Sequence, residues 1–266
     1  MRLRASLKLP KEHGAWAMLY VPFAVGAVAA RSLRASVLLL ALSVSFVFIA
    51  RESLLQWMRA RSRGQTQDGA RALLLLYLAL AAVSGAPLIL GYRLFWLVPF
   101  GIATIALLLF NARQAVRRED RTITGEMLAI LGLTLTAPAA YYVGRGAWES
   151  KAVILWAVCI LYFASSVFYL KLRVYAVNPR KQRARLFAWR TCAAYHLLLA
   201  AGLVGFVFFK GSLSLLAMAA FLPVLLRTFK YLARPTNQLN LKRIGLLEMS
   251  YALVFLVFIS LTFRGA

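Results

Sequence analysis

Carboxylates are scarce in this chain of 266 residues: eight Asp and Glu stand against 32 Lys and Arg, a formal net charge of +24. In a soluble protein such a balance points to nucleic acid. Here no basic segment carries the interleaved aromatics of a stacking platform, and no nucleic-acid-binding motif is present. Lys and Arg fall instead in the gaps between apolar blocks. Cysteine is almost missing as well. Cys159 and Cys192 lie inside apolar blocks and form no CxxC pair, which excludes a disulfide framework and a zinc site and leaves two small packing residues. Period-2 alternation is absent, and with it a β-barrel. No internal repeat and no separate soluble segment is found, so residues 1–266 read as one transmembrane domain. No cofactor and no metal is expected.

What the chain has is apolar residues, 62% of the total, in blocks of about 17–22. That is more apolar surface than one soluble core of this size hides. Lipid is therefore the solvent, and the fold class is an all-α polytopic bundle. Reading blocks against breakers gives nine spans, near 14–31, 35–57, 72–92, 95–112, 126–144, 152–171, 189–209, 213–230 and 243–263. Turns are expected at Gly91-Tyr92-Arg93, Gly144-Arg145-Gly146 and Lys210-Gly211-Ser212. Residues 1–30 share the layout of a signal peptide, but the polar Pro10-Lys11-Glu12-His13 and the length of the run favour an uncleaved first span.

Placing the N-terminus inside puts 25 of the 32 basic residues on the cytoplasmic side, five of them assigned to the end of span 8. The odd span count leaves the C-terminus outside, and the expected location is the bacterial inner membrane. The longer loops, near 58–71, 113–125, 172–188 and 231–242, are then cytoplasmic.

An ionisable group inside a span is a functional candidate by default. His13, Trp16 and Tyr20 share one face of span 1, which also fits an interfacial aromatic belt. Span 2 carries Arg51 and Glu52 before its apolar run ends, with Glu52, Gln56 and Arg59 on one face, a pattern that also fits an intrahelical network. In span 6, Tyr162, Ser165, Ser166, Tyr169 and Arg173 form a hydroxyl-lined stripe ending in cations, with Lys171 nearby. Such a stripe suits an anionic head group, or ordinary interhelical hydrogen bonds. Span 7 adds Arg190 and His196. Span 9 sets Glu248 more than one turn inside with no basic residue at i+3 or i+4, so its partner is expected on another helix, Lys171, Arg173 or Arg190.

These groups all lie at the cytoplasmic ends of their spans, which is the pattern of a cavity open to the cytoplasm. Glu52, Glu248 and His13 are the candidate acid/base groups, and Tyr162, Ser166, Tyr169, Lys171, Arg173, Arg190 and His196 the candidate substrate contacts. Membrane lipids are the expected partners.

Pro10-Lys11-Glu12-His13-Gly14-Ala15-Trp16-Ala17-Met18-Leu19 resembles the N-terminal signature of the YwiC-like family of bacterial membrane proteins, and Arg243-Ile244-Gly245-Leu246-Leu247-Glu248 also resembles that family. The resemblance implies a polytopic membrane protein and no particular activity. In architecture alone the chain is similar to the UbiA-type prenyltransferases, whose Asp-rich motifs after spans 2 and 6 bind Mg²⁺ and a prenyl diphosphate. The corresponding segments here, Arg51–Arg63 and Lys171–Arg185, contain Glu52 as their one acidic residue, so no Mg²⁺ cage is evident. Three functions follow: a lipid-modifying enzyme or lipid binder, a transporter using Glu52 and Glu248 for coupling, and an accessory subunit, with His13 and His196 as the only pair for a haem.

Overall fold

A computed structural model describes residues 13–32, 34–65, 68–117, 122–177, 182–210, 212–236 and 239–265. Every regular element among them is helical: α1 (His13–Ala29), α2 (Ala35–Arg61), α3 (Asp68–Leu90), α4 (Leu97–Val116), α5 (Ile123–Thr134), α6 (Thr136–Arg145), α7 (Ser150–Ala176), α8 (Gln182–Lys210), α9 (Ser212–Ala233) and α10 (Leu241–Gly265). The pair α5 and α6 forms one rod over Ile123–Arg145. Its local break has a simple cause. Pro138 has no N–H to give the Thr134 carbonyl, so the i→i−4 ladder lapses just where the two segments meet.

Nine rods match the nine expected spans. Eight are long and apolar enough to cross a bilayer. The ninth, α1, is apolar but has 17 residues, about 25 Å of rise, at the lower end of the spanning range. Exposed apolar side chains such as Val83, Leu198 and Leu253 are what a lipid-facing surface requires.

The helices outrun the apolar blocks that revealed them. Span 2 ends at Arg61 rather than 57, and span 6 at Ala176 rather than 171, while span 7 begins at Gln182 rather than 189. Hydropathy reports where lipid stops, whereas the backbone ladder continues into water. Basic residues in the last turns of α2 and α7 face helix C-termini, where a cation is favoured. The expected turn after α3 is present, with Arg93 at φ 56°, and Gly146 at φ 77° caps α6 as expected. The turn expected at Gly211 lies outside the described residues.

The chain divides into two compact units, Met1–Trp156 and Ala157–Ala266. In the first, α1 lies so close to α6 that a Cβ on Gly26 would overlap the Ala137 carbonyl, and one on Gly144 would lie 2.5 Å from the Ala30 Cβ. The Thr136 hydroxyl donates to the Leu19 carbonyl, 2.8 Å, across the same seam. Around it a core gathers Ala27, Val37, Leu40, Leu88 and Val143. In the second unit the C-terminal part of α7 packs with α8, α9 and α10, meeting at Tyr169, Leu172, Cys192, Tyr231 and Ile244.

Candidate functional site

Polar groups collect in the four-helix second unit. The Ser166 hydroxyl of α7 donates to Glu248 Oε2 of α10, 2.6 Å. The other oxygen, Oε1, is ion-paired with Nη1 of Arg227 on α9. The Arg227 side chain is 8% exposed, and its Nε and Nη2 have no acceptor among the described residues. Its guanidinium carbon lies 3.9 Å from the centroid of the Tyr169 ring and 5.8 Å from that of Tyr251, a cation–π contact on two sides. Arg173 Nη1 donates to the Tyr169 hydroxyl, 2.9 Å, and its own guanidinium sits 4.7 Å from the Tyr231 ring. Tyr169 thus holds one cation against its face and a second at its hydroxyl.

One residue away on both α7 and α9 lies a second, fully buried network. His196 Nδ1 is 2.8 Å from the Cys192 carbonyl, one turn back on α8, and a carbonyl can only accept. The proton therefore belongs on Nδ1, and Nε2 accepts from the Ser165 hydroxyl, 2.9 Å, with Thr228 Oγ1 at 3.1 Å. Both ring nitrogens are occupied. In this arrangement His196 ties α7, α8 and α9 together, and nothing is left on it for a haem iron or a head group.

The expected stripe on α7 is present: Tyr162, Ser165 and Tyr169 are buried, Ser166 and Arg173 half-buried. Tyr162 stacks on Phe255 at 4.0 Å, and its hydroxyl is buried without a hydrogen-bond partner among the described residues. Lys171 is half-buried on the same helix, and Arg190 is exposed on α8.

The partner of Glu248 is on another helix, as its surroundings required, but it is Arg227. That residue counted among the basic residues at the end of span 8, although Val224-Leu225-Leu226 precedes it and Thr228-Phe229 follows. The rule that singled out Glu248, an ionisable group flanked by apolar residues, singles out Arg227 as well.

The remaining candidates belong to the first unit. Arg51 Nη1 donates to Glu52, 3.1 Å, and Arg51 Nη2 approaches Asn111 of α4 at 3.5 Å. Glu52 therefore pairs with its sequence neighbour and not along the face shared with Gln56 and Arg59. Trp16 and Tyr20 do share a face, stacked at 5.7 Å, and Tyr20 bonds Ser45 of α2 at 2.6 Å. The side chain of His13 lies outside the described residues.

A model of the family described as "YwiC-like protein" matches residues 9–141. The chain belongs to the YwiC-like family. This YwiC-like protein is also 27% identical, over 252 residues, to the "Uncharacterized protein YwiC" of Bacillus subtilis (strain 168), covering 93% of this chain and 95% of that one. No solved structure matches. The family match includes Arg51, Glu52 and Asn111, whereas the Arg227–Glu248 pair lies beyond it.

Proposed function

We propose that this multi-pass membrane protein binds the anionic head group of a lipid or isoprenoid substrate in its second unit, with its N-terminus in the cytoplasm of a bacterial inner membrane. The observation that carries the reading is the buried Arg227 guanidinium, whose Nε and Nη2 have no acceptor among the described residues. Arg227 lies against the face of Tyr169, and Arg173 donates to the hydroxyl of the same residue. In a medium that penalises buried donors without an acceptor, such a guanidinium calls for an anion from outside the chain. Tyr162, Ser166 and Tyr169 supply hydroxyls, and Glu248, hydrogen-bonded by Ser166, is the group placed to exchange a proton with a bound ligand.

A UbiA-like transferase is one form this function takes. It would hold its diphosphate with arginine rather than with metal-bound carboxylates, because no three His, Cys, Asp or Glu side chains gather among the described residues. The ion-paired Glu248 also favours a second reading, substrate transport with Glu248 as the coupling group. Uptake by proteoliposomes that is lost in Glu248→Gln would select transport.

The test of the main reading is mass spectrometry of lipids retained by the purified protein. Phosphate-bearing anionic lipid is expected to be enriched over zwitterionic lipid, and the enrichment to fall in Arg227→Gln and Arg173→Ala. Retention of no anionic lipid, together with full cellular function of Arg173→Ala, would remove its support.

A further inference from the structure

The turn between α3 and α4 carries its largest side chains outward. Leu94 and Leu97 are buried in the core of the first unit, and the Leu94 N–H donates to the Leu88 carbonyl, 3.0 Å. Pinned in this way, the turn leaves Tyr92, Phe95 and Trp96 exposed at 49%, 63% and 53%. Trp148, just before α7, stacks on Trp96 with ring centroids 5.4 Å apart and is itself 36% exposed. Phe100 and Tyr142 brace Trp148 at 5.6 and 6.3 Å. Segments 91–96 and 146–149 therefore meet at one end of the first unit in a single aromatic patch.

The length of α4 says what covers this patch. The next ionisable residue after Trp96 is Arg113, about 25 Å of helical rise away. Hydrocarbon is roughly 30 Å thick, so α4 alone falls short of carrying apolar surface across it. Phe95 and Trp96 stand where that length is missing, in line with Val98 and Ile102, which are exposed on the same helix. Indole and phenol rings favour the boundary between lipid and water, because each joins an apolar body to one polar N–H or O–H. Arg93, exposed in the same turn, sets a cation beside them at the level of the lipid phosphates.

We propose that Tyr92, Phe95, Trp96 and Trp148 form a membrane anchor, an interaction surface for the glycerol and head-group layer of the bilayer at the end opposite loops 58–71 and 113–125. The anchor fixes the depth of a short helix that its own apolar run leaves undetermined. It is independent of anion binding in the second unit.

The test is spin labelling of the full-length protein in liposomes of phosphatidylethanolamine and phosphatidylglycerol. Cys159 and Cys192 are buried, so a polar thiol reagent labels Phe95→Cys or Ile102→Cys alone. Collision rates with oxygen and with a water-soluble nickel chelate report depth. The Phe95→Cys label is expected within about 5 Å of the phosphate layer, and the Ile102→Cys label about 10 Å deeper. Nickel collisions at Phe95→Cys as frequent as for free label in buffer would put the patch in water and overturn the anchor. An immobilised label reached by neither reagent would put protein there, a second copy or a partner, and would overturn it too. A second measurement uses brominated lipids, with bromine near the glycerol expected to quench the wild-type tryptophans more than bromine near the chain ends. Part of that difference should disappear in Trp96→Phe/Trp148→Phe. A difference that survives unchanged would remove these rings from the boundary.

Discussion

The ion pair of Arg227 and Glu248 can be tested for what it contributes to folding, apart from any ligand. The perturbation is Glu248→Gln, which keeps the volume of the side chain and its acceptor for Ser166 but removes the charge. Arg227, 8% exposed, is then a cation in a span with no carboxylate beside it. Breaking a buried pair from one side typically costs about 3–5 kcal/mol, and a lone Arg at a span centre about 2.5–3.5 kcal/mol on insertion scales. The Tyr169 face, in contact at 3.9 Å, holds the guanidinium in both forms and cancels from the difference. The expected loss is roughly 3 kcal/mol, which at about 2–4 °C per kcal/mol is a fall in Tm of about 6–12 °C. The double variant Arg227→Met/Glu248→Met removes desolvation and attraction together, and its stability is expected within about 1 kcal/mol of wild type.

The assay is built into the chain. Cys159 and Cys192 are free, buried and both in the second unit, so a thiol-reactive fluorophore reports its unfolding on heating. If Glu248→Gln melted with the wild type, or if the double variant melted as early as the single, the electrostatic account of the cluster would fail. A double variant that is stable yet unable to bind anionic lipid would show that the pair serves binding rather than packing.

Two further predictions concern the first unit. Gly26→Ala would drive a methyl group into the Ala137 carbonyl oxygen, with the carbonyl carbon at 3.0 Å and Tyr141 N at 3.1 Å, all backbone atoms that cannot rotate away. The expected loss is about 1–3 kcal/mol, read as earlier melting by intrinsic fluorescence, and an unchanged melt would mean that α1 is not seated against α6 as described. Near the end of α6, Glu149 accepts from the Tyr141 hydroxyl at 2.5 Å and from Arg145 Nε at 2.8 Å. The Tyr141 bond first, and then the Arg145 bond, hold its carboxyl below the usual Glu range. A depressed pKa stabilises the fold above the unfolded value of about 4.3 and ceases to do so as pH falls through the folded value. The Tm difference between wild type and Glu149→Gln should therefore be present at pH 7 and vanish in acid. A difference independent of pH would assign the effect to packing.

The spans were legible because lipid leaves a backbone few options: each crossing must be a helix, and its length is fixed by the bilayer. Helix ends were not, since Arg59, Arg61, Arg173, Arg183 and Arg185 look like loop by hydropathy yet continue the ladder. Within the second unit, the α7 stripe followed from helical spacing alone. The need for a partner to Glu248 followed from its depth, but not the identity of that partner. Arg227 stands near basic residues that set topology, and only the packing of α9 against α10 shows that it turns inward. His196 illustrates the opposite error. A lone histidine in a span reads as a ligand, and here three helices occupy both of its nitrogens.

The seam between α1 and α6 joins residues 117 positions apart, Leu19 and Thr136. A ribosome adding about 5–20 residues per second takes roughly six to twenty seconds to cover that distance. Through that interval the Gly26 face of α1 is in the bilayer without the surface it is shaped for, held through Tyr20 and Ser45 to α2. Assembly of the first unit is therefore gated by synthesis. Its first helix is the first to be made and among the last to be locked, and a chain stalled before α6 would present that groove to whatever helix lay nearest.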